Sequence, residues 1–71
     1  MKQIHCVLWK EDDWFVAKAL EVEIASQGKS KKEALDNLQE ALELYFEDQG
    51  EVELNPVEKP ELQDLNVHVN A

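Results

Sequence analysis

The chain has 71 residues, with sixteen Asp and Glu against seven Lys and Arg and a formal net charge of -9 at pH 7. That length makes one domain that buries only about 60% of its unfolded surface, so its own core leaves it marginal. The charge argues against a nucleic-acid groove or an anionic membrane surface, the single cysteine excludes an internal disulfide, and there is no cysteine–histidine cluster to hold a structural metal. Self-association is the remaining route to stability, and a homo-oligomer, dimer or tetramer, is expected. The acidity also favours a basic partner, although acidic residues serve solubility as well. No apolar run approaches the ~20 residues of a membrane-spanning helix. Met1-Lys2-Gln3 passes directly into strand-like sequence, so no signal peptide is expected and a cytoplasmic protein with reduced Cys6 is the default.

Gln3–Lys10 reads as a strand, with Ile4, Cys6 and Leu8 alternating with His5, Val7 and Trp9. Both series contain apolar residues, which predicts cover on both faces, one by a helix and one by a partner subunit. Glu11-Asp12-Asp13 is a polar turn. Trp14–Ala19 resumes the alternation with Phe15, Ala17 and Ala19 on one face and Trp14, Val16 and Lys18 on the other, so the short connection predicts an antiparallel hairpin. The apolar run continues too far for one strand. A bend at Glu21 divides it, and Val22–Ser26 is read as the third strand. Gly28 is expected to supply a tight backbone conformation before the next element.

Ser30–Asp48 is the most periodic stretch. Ala34, Leu35, Leu38, Ala41, Leu42, Tyr45 and Phe46 recur at three- and four-residue steps, which places them on one side of an α-helix. Ser30 and Glu33 form a capping-box pattern, and Gly50 follows the end where a left-handed residue closes a helix. Glu51–Gln63 contains both prolines, Pro56 and Pro60, and no helical periodicity. Leu65, Val67 and Val69 then alternate in a short final strand. The expected organisation is a core over 1–48, an extended connector over 49–64 and a terminal strand over 65–69 that pairs with a sheet edge of its own or another subunit.

Candidate chemistry is sparse. His5 and His68 have no carboxylate or cysteine at a ligand spacing, and His5 and Cys6 point to opposite faces of a strand, so they make no nucleophilic pair. Cys6 is expected among the apolar residues, behaving as a small hydrophobe. Gly28 and Gly50 are too far apart for a phosphate loop. Lys29, Lys31 and Lys32 cluster at the helix entrance, where a solvated group is the expectation. No catalytic, cofactor-binding or metal residue is assigned. Trp9 and Trp14 flank the turn Glu11-Asp12-Asp13 on the face opposite Phe15, and these five residues are the candidate partner-binding set, since aromatics buried in an interface carry much of its binding energy. The alternative is that the tryptophans cover the open sheet inside a homo-oligomer.

Taken together, Trp14-Phe15-Val16-Ala17, Leu20-Glu21-Val22, Ile24-Ala25-Ser26-Gln27-Gly28, Glu33-Ala34-Leu35-Asp36-Asn37-Leu38 and Glu40-Ala41-Leu42-Glu43-Leu44-Tyr45-Phe46 resemble the HicB-like antitoxin family. The resemblance runs from about Gln3 to Asp48. It implies an α+β domain of order β-β-β-α-β, a three-stranded antiparallel sheet packed on one helix plus a short C-terminal strand, partly ribonuclease H-like. It further implies a non-enzymatic domain that binds and occludes a small basic HicA-like toxin that cleaves messenger RNA. The family's C-terminal DNA-binding domain has no counterpart in these residues, so a short form without direct nucleic-acid binding is expected. The other readings are a solitary self-associating protein of this fold with no toxin partner, and a metal-dependent nuclease. The ribonuclease H carboxylates are not recognisable here, and fold analogy alone carries no nuclease activity.

Overall fold

The computed structural model describes residues 3–50 and 54–70. Three strands, β1 (Cys6–Glu11), β2 (Trp14–Ala19) and β3 (Ala25–Gly28), form an antiparallel sheet in the order β1-β2-β3, and one helix, α1 (Lys31–Gln49), packs on one of its faces. The chain is therefore α+β, as expected.

The β1–β2 hairpin closes through Asp12-Asp13, with Asp12 at φ 52, the left-handed conformation that Asp tolerates better than most residues. Cys6 lies opposite Ala19 and Leu8 opposite Ala17, so Cys6, Leu8, Phe15, Ala17 and Ala19 share the helix side. β1 begins at Cys6 instead of Gln3 because the His5 N–H leaves the ladder: it donates to Glu21 Oε1 at 2.9 Å.

The third strand differs from the expected Val22–Ser26. Residues 20–23 are an irregular bend, and the strand starts only at Ala25. The cause is local. The Ile24 N–H donates to the Val22 carbonyl at 2.9 Å, closing a three-residue turn, and Glu21 turns its side chain inward. The bend at Glu21 is where the run length placed it.

The helix boundaries fall within one residue of those expected. Ser30 is the N-cap, its hydroxyl accepting the Glu33 N–H at 3.1 Å, and Gly50, at φ 69, closes the C-terminus by donating its N–H to the Phe46 carbonyl. Glu33 reaches back one residue further than a capping box requires, accepting the Lys29 N–H at 3.3 Å.

The packing explains the small residues. Ala17, Ala34 and Leu38 form the buried cluster, with Leu8, Phe15, Ile24 and Leu42 half-buried around it. Alanine on both surfaces lets the helix lie close to the sheet. Gly28 belongs to the same contact: a Cβ there would sit 2.6 Å from the Ala34 nitrogen. Its role is close approach and not the special backbone conformation expected from sequence, since only Gly50 among the described glycines has a positive φ.

The helix lies across β3 and β2 and makes no comparable contact with β1. A helix about 10 Å wide covers roughly two strands spaced about 4.8 Å apart. The expected apolar side is therefore only partly buried. Ala34 and Leu38 are enclosed, while Leu35 remains 39% exposed.

Residues 65–69 form no strand. From Glu58 to Asn70 every described residue is exposed, and among the described residues no hydrogen bond involves 56–70. The alternation of Leu65, Val67 and Val69 is present, but strand pairing needs a neighbour and none lies beside it among the described residues. Of the expected connector, residues 51–53 lie outside the described residues.

Candidate protein-binding surface

Among the described residues no helix or strand packs on the sheet face turned away from the helix. By register and alternation it carries Val7, Trp9 and Glu11 from β1, Trp14, Val16 and Lys18 from β2, and Ala25 and Gln27 from β3. Trp9 faces Val16 across the ladder, and Trp14 faces Glu11. The two tryptophans are 38% and 39% exposed, so each ring is partly packed and partly offered to solvent. Their polar surroundings are ordered. The Trp9 indole N–H donates to Glu11 Oε1 at 3.1 Å, and Lys29 Nζ stands 5.6 Å from the Trp14 ring centroid. All five residues singled out from sequence thus meet at one end of the hairpin: Trp9, Glu11 and Trp14 on the open face, Asp12 and Asp13 exposed in the turn. Aromatic rings on a rigid sheet beside three carboxylates can bury against an apolar anchor while attracting a basic rim.

The helix-side surface has its own opening. Because the helix leaves β1 uncovered, a groove of about 760 Å³ runs between that strand and the helix, lined by Ile4, Cys6, Leu35, Leu38, Leu42 and Phe46 among others. Cys6 does lie with Ile4 and Leu8, as its alternation implied, but it is an exposed free thiol and not a buried small hydrophobe.

One polar pair escaped the sequence reading. Glu21 is only 4% exposed, yet its carboxylate accepts the His5 N–H and, at 2.6 Å, the His5 ring Nδ1–H. The His5 hydrogen bond holds the Glu21 carboxyl below its ordinary value, overcoming the burial that pushes it up. The sixteen-residue separation lies outside any local ligand spacing. The available signal was a glutamate in the middle of an apolar run, at a bend. The pair pins the start of β1 to the β2–β3 connection, and with both carboxylate oxygens engaged it reads as a structural lock.

Of the lysines at the helix entrance, Lys32 pairs with Asp36 at 2.7 Å, which raises its pKa, and Lys29 faces Trp14. His68 is exposed in the C-terminal arm. Among the described residues no three His, Cys, Asp or Glu are grouped to hold a metal ion, and no helix is long and apolar enough to cross a membrane.

No curated protein and no solved structure matches the chain. A family model does match, and over residues 2–71, so it spans the sheet, the helix and the exposed arm together. The chain accordingly belongs to DUF7387, a family of unknown function.

Proposed function

We propose that the chain is a non-enzymatic protein-binding module: a HicB-like antitoxin domain that occludes a small basic HicA-like toxin. The observation that carries this reading is the open tryptophan face beside the acidic turn. Trp9 and Trp14, 38% and 39% exposed, stand at the turn end of the hairpin, next to Glu11, Asp12 and Asp13. The net charge of -9 accelerates encounter with a basic partner, and the resemblance of residues 3–48 to HicB-like antitoxins names the class of that partner.

Co-expression with the product of a small basic reading frame adjacent to the gene tests it. The complex is expected to co-purify, to weaken with salt and to relieve growth arrest. A combined Trp9→Ala and Trp14→Ala chain is expected to lose at least about 2 kcal/mol of binding, roughly thirtyfold. Growth arrest unchanged by the intact chain, with no complex recovered, overturns the reading.

A second reading, a self-associating protein without a toxin, is favoured by a different observation. The enclosed core consists of three alanines and one leucine, while Leu35, Leu44, Leu62, Leu65, Val67 and Val69 are exposed.

A further inference from the structure

The C-terminal arm and the groove beside β1 are two halves of one contact that the single chain does not make. The arm carries Leu62, Leu65, Val67 and Val69, which are 88%, 84%, 73% and 84% exposed. In an extended chain Leu65, Val67 and Val69 share one side, and Asn66 and His68 take the other. Among the described residues β1 pairs only with β2, so its outer edge presents backbone N–H and C=O groups with no described strand beside them. The helix-side surface next to that edge is the apolar groove. Five arm residues span about 17 Å, close to the length of the six-residue β1.

The arm's root is tied to the body, while residues 58–70 beyond it are exposed. The Asn55 N–H is tied to the Glu21 carbonyl at 3.3 Å, and Pro56 and Pro60, which have no N–H to donate, bracket the next residues. Lys59, immediately before Pro60, sits at φ 46, a conformation unfavourable for a residue with a side chain. A short strained hinge of this kind favours exchange of an element between copies. The molecule is correspondingly extended. Its accessible surface is 6390 Å² against about 4,500 Å² for a compact monomer of its mass, and its radius of gyration is 14.3 Å against about 11 Å.

We propose that two copies exchange arms. Residues 65–69 of each add a fourth strand to the β1 edge of the other, with Leu65, Val67 and Val69 closing the groove over Leu35 and Leu42. Every copy both donates an arm and offers an edge, so a two-fold dimer satisfies both and closes on itself. The tryptophan face stays free, so the inference does not depend on the toxin reading. Bringing together two chains of charge -9 opposes assembly, and the dimer tightens with added salt, opposite to the trend for a basic partner.

The sole cysteine, Cys6, lines the groove and reports on the contact. Full-length Leu65→Cys, Val67→Cys and Val69→Cys chains, mildly oxidised, are expected to give a disulfide-linked dimer for at least one position, with Asn66→Cys on the polar side giving only the background seen in the unaltered chain. By sedimentation the unaltered chain is expected at twice 8.2 kDa and Val67→Asp, at an exposed site, as a monomer with unchanged helical circular dichroism. A monomeric unaltered chain overturns the proposal. So does a dimer indifferent to Val67→Asp, a bridge formed within one chain, or no bridge above background at any position.

Discussion

Along β3 the helix comes so close that Gly28 has no room for a methyl group, whereas along β1 the same helix leaves a groove of about 760 Å³. The closed side is also tied by polar contacts: Asn37 donates to the Gln27 carbonyl at 2.9 Å, and Glu33 accepts from Lys29. On the open side β1 has no second strand partner among the described residues. The difference shows that one helix is enough to finish two strands and not three. The closed side makes the fold. The open side, with the bare tryptophan face behind it, is where the molecule is left incomplete and where partners are to be sought.

The contrast is broken most severely at Gly28. A Cβ there meets the Ala34 nitrogen at 2.6 Å and the Glu33 side chain at 2.8 Å, and backbone in a helix cannot step aside cheaply. Gly28→Ala is expected to cost about 3 kcal/mol, and urea melts followed by circular dichroism read it directly. A loss below about 0.5 kcal/mol means that the close approach is not what the position requires.

Next is the lock between the open strand and the bend. Glu21→Gln removes a buried charge-assisted acceptor and is expected to cost about 2 kcal/mol at pH 7. The sign of its pH dependence follows from the lowered carboxyl pKa. The unfolded state takes up protons as the pH falls toward the ordinary carboxyl value of 4.5, so this contribution is present above that value and is lost as the pH drops through the lower folded one. The gap in stability between the unaltered chain and Glu21→Gln is therefore expected to narrow from pH 7 to pH 3. A constant gap sinks the assignment.

The smallest effect is at the helix start. Ser30→Ala leaves the Glu33 N–H without its hydroxyl partner and is expected to cost about 1 kcal/mol, read as a lowered melting midpoint. Since Ser30 stands between Gly28 and the first helical turn, this loss measures how much of the closed side rests on the cap itself.

Much of the fold was legible because it is local. The helix announces itself through Ser30, Gly50 and a 3.6-residue period, and the hairpin through alternation on either side of Asp12-Asp13. The five hairpin residues lie together at one end of the sheet because a two-residue turn forces their proximity. Three features were not legible. The His5–Glu21 pair joins positions with no shared period. The need for glycine at position 28 comes from a helix that approaches it in space. The final strand was read from an alternation that is real but unpaired.

From the residues alone come the kinds of element, their boundaries to about one residue in the helix and second strand, and which side chains share a face, because each depends on neighbours a few positions away. Leu35 and Leu38 look equivalent at that level. Both line the groove, but only the tertiary arrangement leaves Leu35 39% exposed and buries Leu38 to 2%, because the helix settles over β2 and β3 and its width ends there.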